Sequence, residues 1–257
     1  MATVTRFNVT PVKGTALLHP DEVTLTQAGI PENRRFFLVD ERDELFSGST
    51  FGPLVQVRAS VGEDGALTCA FPAGGVVSGP VDELGRDVVV DFYGRPVAAR
   101  EVLGVFSTAF SEYVGTAVRL MRAERDGDGV DVHPLTVVGA ESVAELGRRG
   151  GYDGDLDSLR FRINIELGGT EPFEEDGWDG RSLGIGDAVI RLDGQIPRCV
   201  VTTQDPATGI HDWNTLKQIA AFRPQMARRQ GIPFGMYAQV VRPGTIRLGA
   251  GVALLDI

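Results

Sequence analysis

The 257-residue sequence predicts a mainly β (α+β) fold, with a β-barrel core, helices at its rim and a small β-rich first half. Three observations carry this prediction. Short segments rich in β-branched and aromatic residues, bounded by turn residues, recur through the first hundred positions. Apolar residues adopt helical spacing in only a few later stretches. Strands and helices do not alternate strictly, which argues against a doubly wound parallel sheet.

The strand segments of the first half are Phe7 to Val12, Arg35 to Asp40, Leu54 to Val61 and Asp87 to Tyr93, with Cys69 on one arm of a hairpin. At Gly104 the period changes, and Val105 to Val114 spaces its apolar residues as a helix does. That helix marks a seam between a β-rich domain over 1–103 and a second domain over 104–257. Beyond it come a strand at Val118 to Ala123, a polar loop, a strand "PLTVVG" and a helix "ESVAELGRRG" closed by Gly150 and Gly151. Arg160 to Leu167 reads as a strand, and further strands lie at "DAVIRL" and "RCVVTT". Asp212 is placed to cap a helix "WNTLKQIAAF". The chain then reads as three closing strands around a Pro243-Gly244 turn.

Composition narrows the function classes. With 42% hydrophobic and 23% charged residues, the chain is an ordinary globular one, long enough for one large domain or two modest ones. Its 25 basic and 35 acidic residues give a net charge of −10, which opposes general affinity for nucleic acid or an anionic membrane. No early apolar run is long enough for a signal peptide or a membrane span, so a cytoplasmic address with both cysteines reduced is expected. Asp126, Asp128 and Asp131 resemble a calcium loop. However, Val137 stands where the twelfth-position glutamate belongs, and the sixth position is not glycine. Gly184 and Gly186 do not extend into a dinucleotide or phosphate-loop motif. Three histidines and two cysteines without paired spacing exclude an ordinary zinc or iron–sulfur site.

Cys199, in "QIPRCVVTTQDPATG", is the chief candidate for chemistry. A lone cysteine on an apolar strand is most often a small buried hydrophobe. Here Arg198 favours a thiolate, Thr202 and Thr203 offer hydroxyls, and a turn from Asp205 to Gly209 ends the strand at a sheet edge. A thiolate so placed has three outlets: attack on an electrophile, carriage of a sulfane sulfur, or ligation of a soft metal.

Seven segments in order resemble the MOSC domain family, named for the C-terminal module of molybdenum cofactor sulfurases and shared with the mitochondrial amidoxime-reducing component. They are "TPVKG", "NRRFFLVD", "HPLTVVGAESVAEL", "RFRINIEL", "PFEEDGW", "RCVVTTQDPATG" and "FGMYAQVVRPGTIRLG". The resemblance covers nearly the whole chain. It implies a MOSC-type β-barrel behind an N-terminal β-barrel-like domain. It also implies a molybdenum cofactor (Mo-molybdopterin) whose metal is ligated by Cys199. By position, Lys13, Arg35, Asp131, Arg162, Asn164, Arg198, Thr202 and Thr203 become cofactor contacts. Electrostatics agree, since a phosphate is best held by forked or point cations, and residues two apart on a strand, such as Arg162 and Asn164, share a face. An ordinary surface arginine such as Arg228 has no such role.

The sequence departs from the family pattern at Thr10, at Val132-His133 and at Gly249-Ala250. His133, where relatives carry a small hydroxyl residue, becomes a candidate catalytic acid or base. The implied activity is reduction of N-hydroxylated or other oxo-acceptor small molecules. Its electrons come from a separate flavin or iron–sulfur donor protein, because two cysteines cannot hold a plant-type cluster. Two alternatives stay open: a sulfur carrier or cofactor-binding module with a Cys199 persulfide, and a cysteine hydrolase or lyase with His133 or His211 as base.

Overall fold

A computed structural model describes residues 1–223 and 231–255, so Arg228 lies outside the described residues. In chain order the first strands are β1 (Thr3–Phe7), β2 (Glu22–Leu25), β3 (Phe36–Val39), β4 (Leu45–Phe46), β5 (Arg58–Val61), β6 (Leu67–Ala70), β7 (Val76–Gly79), β8 (Leu84–Phe92) and β9 (Arg95–Val102). There follow α1 (Val105–Val114), β10 (Arg119–Ala123), β11 (Leu135–Gly139), α2 (Ala140–Gly150), β12 (Ile165–Gly168), β13 (Ser182–Ile185) and β14 (Ala188–Arg198). The chain continues through α3 (Thr215–Ala220), β15 (Ile232–Arg242), β16 (Gly244–Arg247) and β17 (Val252–Leu255).

The period-2 pattern is visible in β8, where Val88, Val90 and Phe92 are buried while Val89 and Asp91 face out. That strand edges a five-stranded sheet ordered β4-β3-β10-β9-β8. A three-stranded sheet, β5-β6-β7, packs nearby, and α1 presses Phe106 and Phe110 onto the core it shares with Leu54, Leu67, Cys69 and Leu120.

The larger sheet has seven strands in the order β1-β12-β11-β15-β14-β13-β17. It closes on itself: Thr3 bridges Gly251, Val4 N–H donates to the Ala250 carbonyl at 3.0 Å, and Val252 N–H donates to the Ala2 carbonyl at 2.8 Å. Closure removes the open edges that would otherwise leave backbone groups unpaired. The interior holds Phe7, Leu135, Ile165, Ile190 and Met236, all fully buried. One pair, β11 with β12, is parallel, and α2 makes the crossover between them. This helix lays Val143 and Leu146 against Phe161, Ile219 and Phe234, then ends on Gly151 at φ 63°.

The sheets do not divide the chain between 103 and 104. β10 lies inside the first sheet between β3 and β9, whereas β1 joins the barrel and β2 pairs with β16. Several elements also differ locally from the sequence reading. Leu54 to Gln56 belong to a 3₁₀ turn (Gly52–Gln56) that Pro53 starts, since proline suits a first helical position. "RCVVTT" is the end of β14 followed by a 3₁₀ turn, Val200–Thr203. Most of "RFRINIEL" is a second such turn, Ser158–Phe161, and an irregular stretch before β12. Asn214, not Asp212, caps α3 by accepting from Lys217 N–H at 3.0 Å, because Asp212 is engaged by Arg160.

Candidate functional site

Between the barrel and the five-stranded sheet lies a pocket. Lys13, which follows β1, and Arg34, which precedes β3, line it from one side. The 130–133 loop and Arg160 to Asn164 line it from another, and the end of β14 brings Arg198, Cys199 and Thr202. Cys199 is exposed. Its neighbour Arg198 is fixed from behind, Nε donating to the Phe234 carbonyl at 2.7 Å and Nη1 to the Phe161 carbonyl at 3.0 Å.

Strained backbone concentrates here. Five described non-glycine residues have positive φ, and three of them, Arg34 (57°), Tyr93 (55°) and Arg162 (53°), line the pocket. Two of these turns touch, since Arg34 Nη2 donates to the Arg162 carbonyl at 3.1 Å. Arg162 Nη2 reaches the Thr15 carbonyl at 2.6 Å. Arg35 was expected here by position in the family resemblance, but the left-handed turn at Arg34 directs the two neighbouring arginines differently. Arg35 points away, pairing with Asp126 at 3.3 Å and Glu32 at 3.8 Å on the other side of β3, and Arg34 takes its place.

Asp131 joins the cations. It forms an ion pair and hydrogen bond with Lys13 and lies 3.7 Å from Arg34 Nη1. Burial pushes its carboxyl up, but the charges of Lys13 and Arg34 and the Lys13 hydrogen bond outweigh that and hold it at about 2. Lys13 moves down as well, to about 8, because burial costs its ammonium more than Asp131 returns. Burial, then the neighbouring Arg34, pulls Arg162 down to about 9, and burial pulls Arg198 to about 10. Lys13, Arg162 and Arg198 therefore stay charged near neutrality beside the Asp131 carboxylate.

The remaining expected residues divide. Asn164 lines the pocket, yet its amide braces the wall: Nδ2 donates to the Asn8 carbonyl at 3.1 Å and Oδ1 accepts from Thr136 Oγ1 at 3.0 Å. It shares the pocket with Arg162, though neither sits on a strand. Thr202 also lines the pocket, its hydroxyl donating to the Cys199 carbonyl at 2.9 Å. Thr203 does not reach it. Its hydroxyl turns to the Val200 carbonyl at 2.7 Å and His211 Nδ1 at 2.6 Å, which keeps His211 outside the pocket lining too. His133 is in the wall, with Nε2 3.7 Å from Asp193 Oδ2 and its ring 5.1 Å from that of Tyr237. Arg34, Tyr93 and Arg160 were missed. Only the doubled arginine of "NRRFF" hinted at the first.

This donor set suits an anionic group that also offers a soft metal. Arg34 Nε, Arg160 Nε and Arg198 Nη2 are buried without a hydrogen-bond partner among the described residues, and a thiol stands beside them.

A segment of 125 residues is 38% identical to mitochondrial amidoxime reducing component 2 of Rattus norvegicus, covering 46% of this chain and 36% of that protein. Component 1 of Homo sapiens is 33% identical over 131 residues, covering 49% and 38%. The matched stretch thus spans under two-fifths of these relatives' own length. Molybdenum cofactor sulfurase of Oryza sativa subsp. japonica is 26% identical over 178 residues, covering 57% of this chain and 21% of that one. Among solved structures, the YUAD protein from Bacillus subtilis covers 98% of this chain and is itself 94% covered, at 13% identity and a TM-score of 0.46. The family profile described as MOSC domain matches residues 124–253, half the sequence and the whole Cys199 wall of the pocket, and the chain belongs to that family.

Proposed function

We propose that this protein binds a molybdenum cofactor and reduces N-hydroxylated or other oxo-acceptor small molecules with electrons from a separate donor protein. One observation carries the reading: an exposed thiol stands at a pocket lined by five cationic side chains in a chain of net charge −10. The names of the relatives, amidoxime reducing components and molybdenum cofactor sulfurase, support the same chemistry.

In this reading Cys199 is the protein's metal ligand. Arg34, Arg162 and Arg198, with Lys13 beside them, hold the phosphate end by charge-assisted hydrogen bonds. When bound, the cofactor supplies two-electron redox chemistry at its metal. Asp131, ionised to about pH 2, donates no proton at neutrality. It keeps Lys13 in place. The proton falls to His133, the imidazole in the pocket wall, with Asp193 Oδ2 3.7 Å from its Nε2. Tyr93 and Val132, both exposed at the pocket, offer substrate an apolar rim.

The test is metal and pterin content after expression in molybdenum-replete cells. We expect molybdenum near one per chain with a pterin fluorophore released on denaturation. A protein that folds without either contradicts the proposal and leaves the persulfide carrier, which the exposure of Cys199 equally suits.

A further inference from the structure

The segment from Cys199 to Asp212 folds over a buried arginine. Arg160 keeps none of its side-chain surface exposed. Its Nη1 donates to the Thr202 carbonyl at 3.2 Å and to Asp212 Oδ1 at 3.3 Å, and its Nη2 donates to Asp212 Oδ2 at 3.0 Å. The rings of Tyr152 and Trp213 lie over the guanidinium at 5.5 and 5.8 Å. The Thr202 carbonyl also accepts from Thr215 Oγ1 at 2.7 Å. Thr202 in turn donates its backbone N–H and its hydroxyl to the Cys199 carbonyl, at 3.2 and 2.9 Å.

Two hydrogen-bonded links in series therefore join the guanidinium to the backbone of Cys199. The far end of the segment is tied down as well, where Gln204 Nε2 donates to the Gly48 carbonyl at 2.9 Å. A planar fork serves a carboxylate and a carbonyl at once, whereas an ammonium has neither the reach nor the fixed geometry. Burying that charge costs stability unless Asp212 compensates it, so the pair is either intact or strongly unfavourable.

We propose that Arg160 is the positioning residue for Cys199, holding the thiol at the pocket through the Thr202 carbonyl. This rests on the reading of Cys199 as the reactive group. Arg160 acts from beneath the loop, and Asp212 is its required partner.

A nitroxide label attached to Cys199 of the cofactor-free chain tests this, because Cys69 is fully buried and stays unlabelled. The wild-type chain gives an immobilised line shape. Arg160→Lys and Asp212→Asn give a mobile one, while Asp212→Glu restores immobilisation. Amide exchange at Thr202, Gln204 and Gly209 quickens about tenfold in the first two variants, the equivalent of about 1.4 kcal/mol, with β14 and β15 unchanged. Where Arg160→Lys does not fold, Thr202→Val removes the hydroxyl half of the second link without leaving a buried charge, keeps the backbone N–H contact, and gives a line shape shifted part of the way towards the mobile one. An immobilised label with wild-type exchange in folded Arg160→Lys, a rigid label in Thr202→Val, or faster exchange spread evenly through the barrel overturns the proposal. Neither readout involves molybdenum, so a chain that binds no cofactor leaves this result standing.

Discussion

The two cysteines differ in burial and in place: one lies inside a strand, the other just past the end of β14. Cys69 sits in β6 with no exposed surface, and burial pushes its thiol up to about 12, which makes it inert. Cys199 stands exposed at the pocket. We expect Cys199→Ala and Cys199→Ser to fold, by circular dichroism, and to lose turnover, whereas Cys69→Ala keeps it. An active Cys199→Ala protein refutes the thiol's role. Asp131 gives a second test at this scale, through acid. Its folded carboxyl is depressed to about 2 against an ordinary value near 4, so its contribution is complete above about pH 4 and disappears as pH falls through 2. Asp131→Asn leaves the buried Lys13 without its counter-charge. At pH 7 this costs about 1–3 kcal/mol, less than a fully enclosed pair because the Asp131 side chain keeps 41% of its surface exposed. Chemical denaturation from pH 7 to pH 2 checks it. The gap between wild type and variant narrows as pH falls from 4 to 2, and a constant gap places the stabilisation elsewhere.

At the scale of elements, the loop bearing Cys199 meets the loop after β4 where two glycines cross. A Cβ on Gly209 would lie 2.1 Å from the Gly52 backbone, and Gly209 itself has φ 75°. Gly209→Ala therefore combines left-handed strain with a backbone clash and costs about 3 kcal/mol or more. Gly154→Ala, at φ 84° with nothing near its Cβ, costs only about 1–2 kcal/mol. Equal melting temperatures for the two variants refute the crossing. Sequence pattern showed α1 at its observed bounds and the cores of β3, β8, β11 and β15, because α1 and β8 bury one face with a repeating period while β3, β11 and β15 are nearly continuous apolar runs. It failed where short polar kinks break strands. Arg34 and Arg162 adopt positive φ, which no propensity scale assigns to arginine, so the turn at Ser158–Phe161 reads as strand in the sequence, while Arg35, taken by position from the family resemblance, stands one residue from the arginine that lines the pocket. Arg160 was missed for a related reason, since its partner Asp212 lies 52 residues away and was read as a helix cap.

For the whole molecule, chain order hides the joins that build the site. β1 pairs with β12 and β2 with β16, across separations that local pattern cannot express, and β10 crosses back into the first sheet. These crossings set Lys13 against Asp131 and Arg34 against Arg162, 118 and 128 residues apart. A net charge of −10 over the whole chain makes the gathered cations a local exception to the global field, and each partly buried charge-assisted contact to an anion contributes about 1.5–3 kcal/mol. The most direct measurement is molybdopterin content in purified Arg34→Ala, Arg162→Ala and Arg35→Ala proteins beside wild type. All three remove one arginine, and only Arg34 and Arg162 open onto the pocket. Losing one such contact lowers affinity more than about tenfold, so at limiting cofactor Arg34→Ala and Arg162→Ala are recovered largely empty while Arg35→Ala matches wild type. Equal content in all four proteins, or depletion in Arg35→Ala alone, contradicts the cofactor pocket.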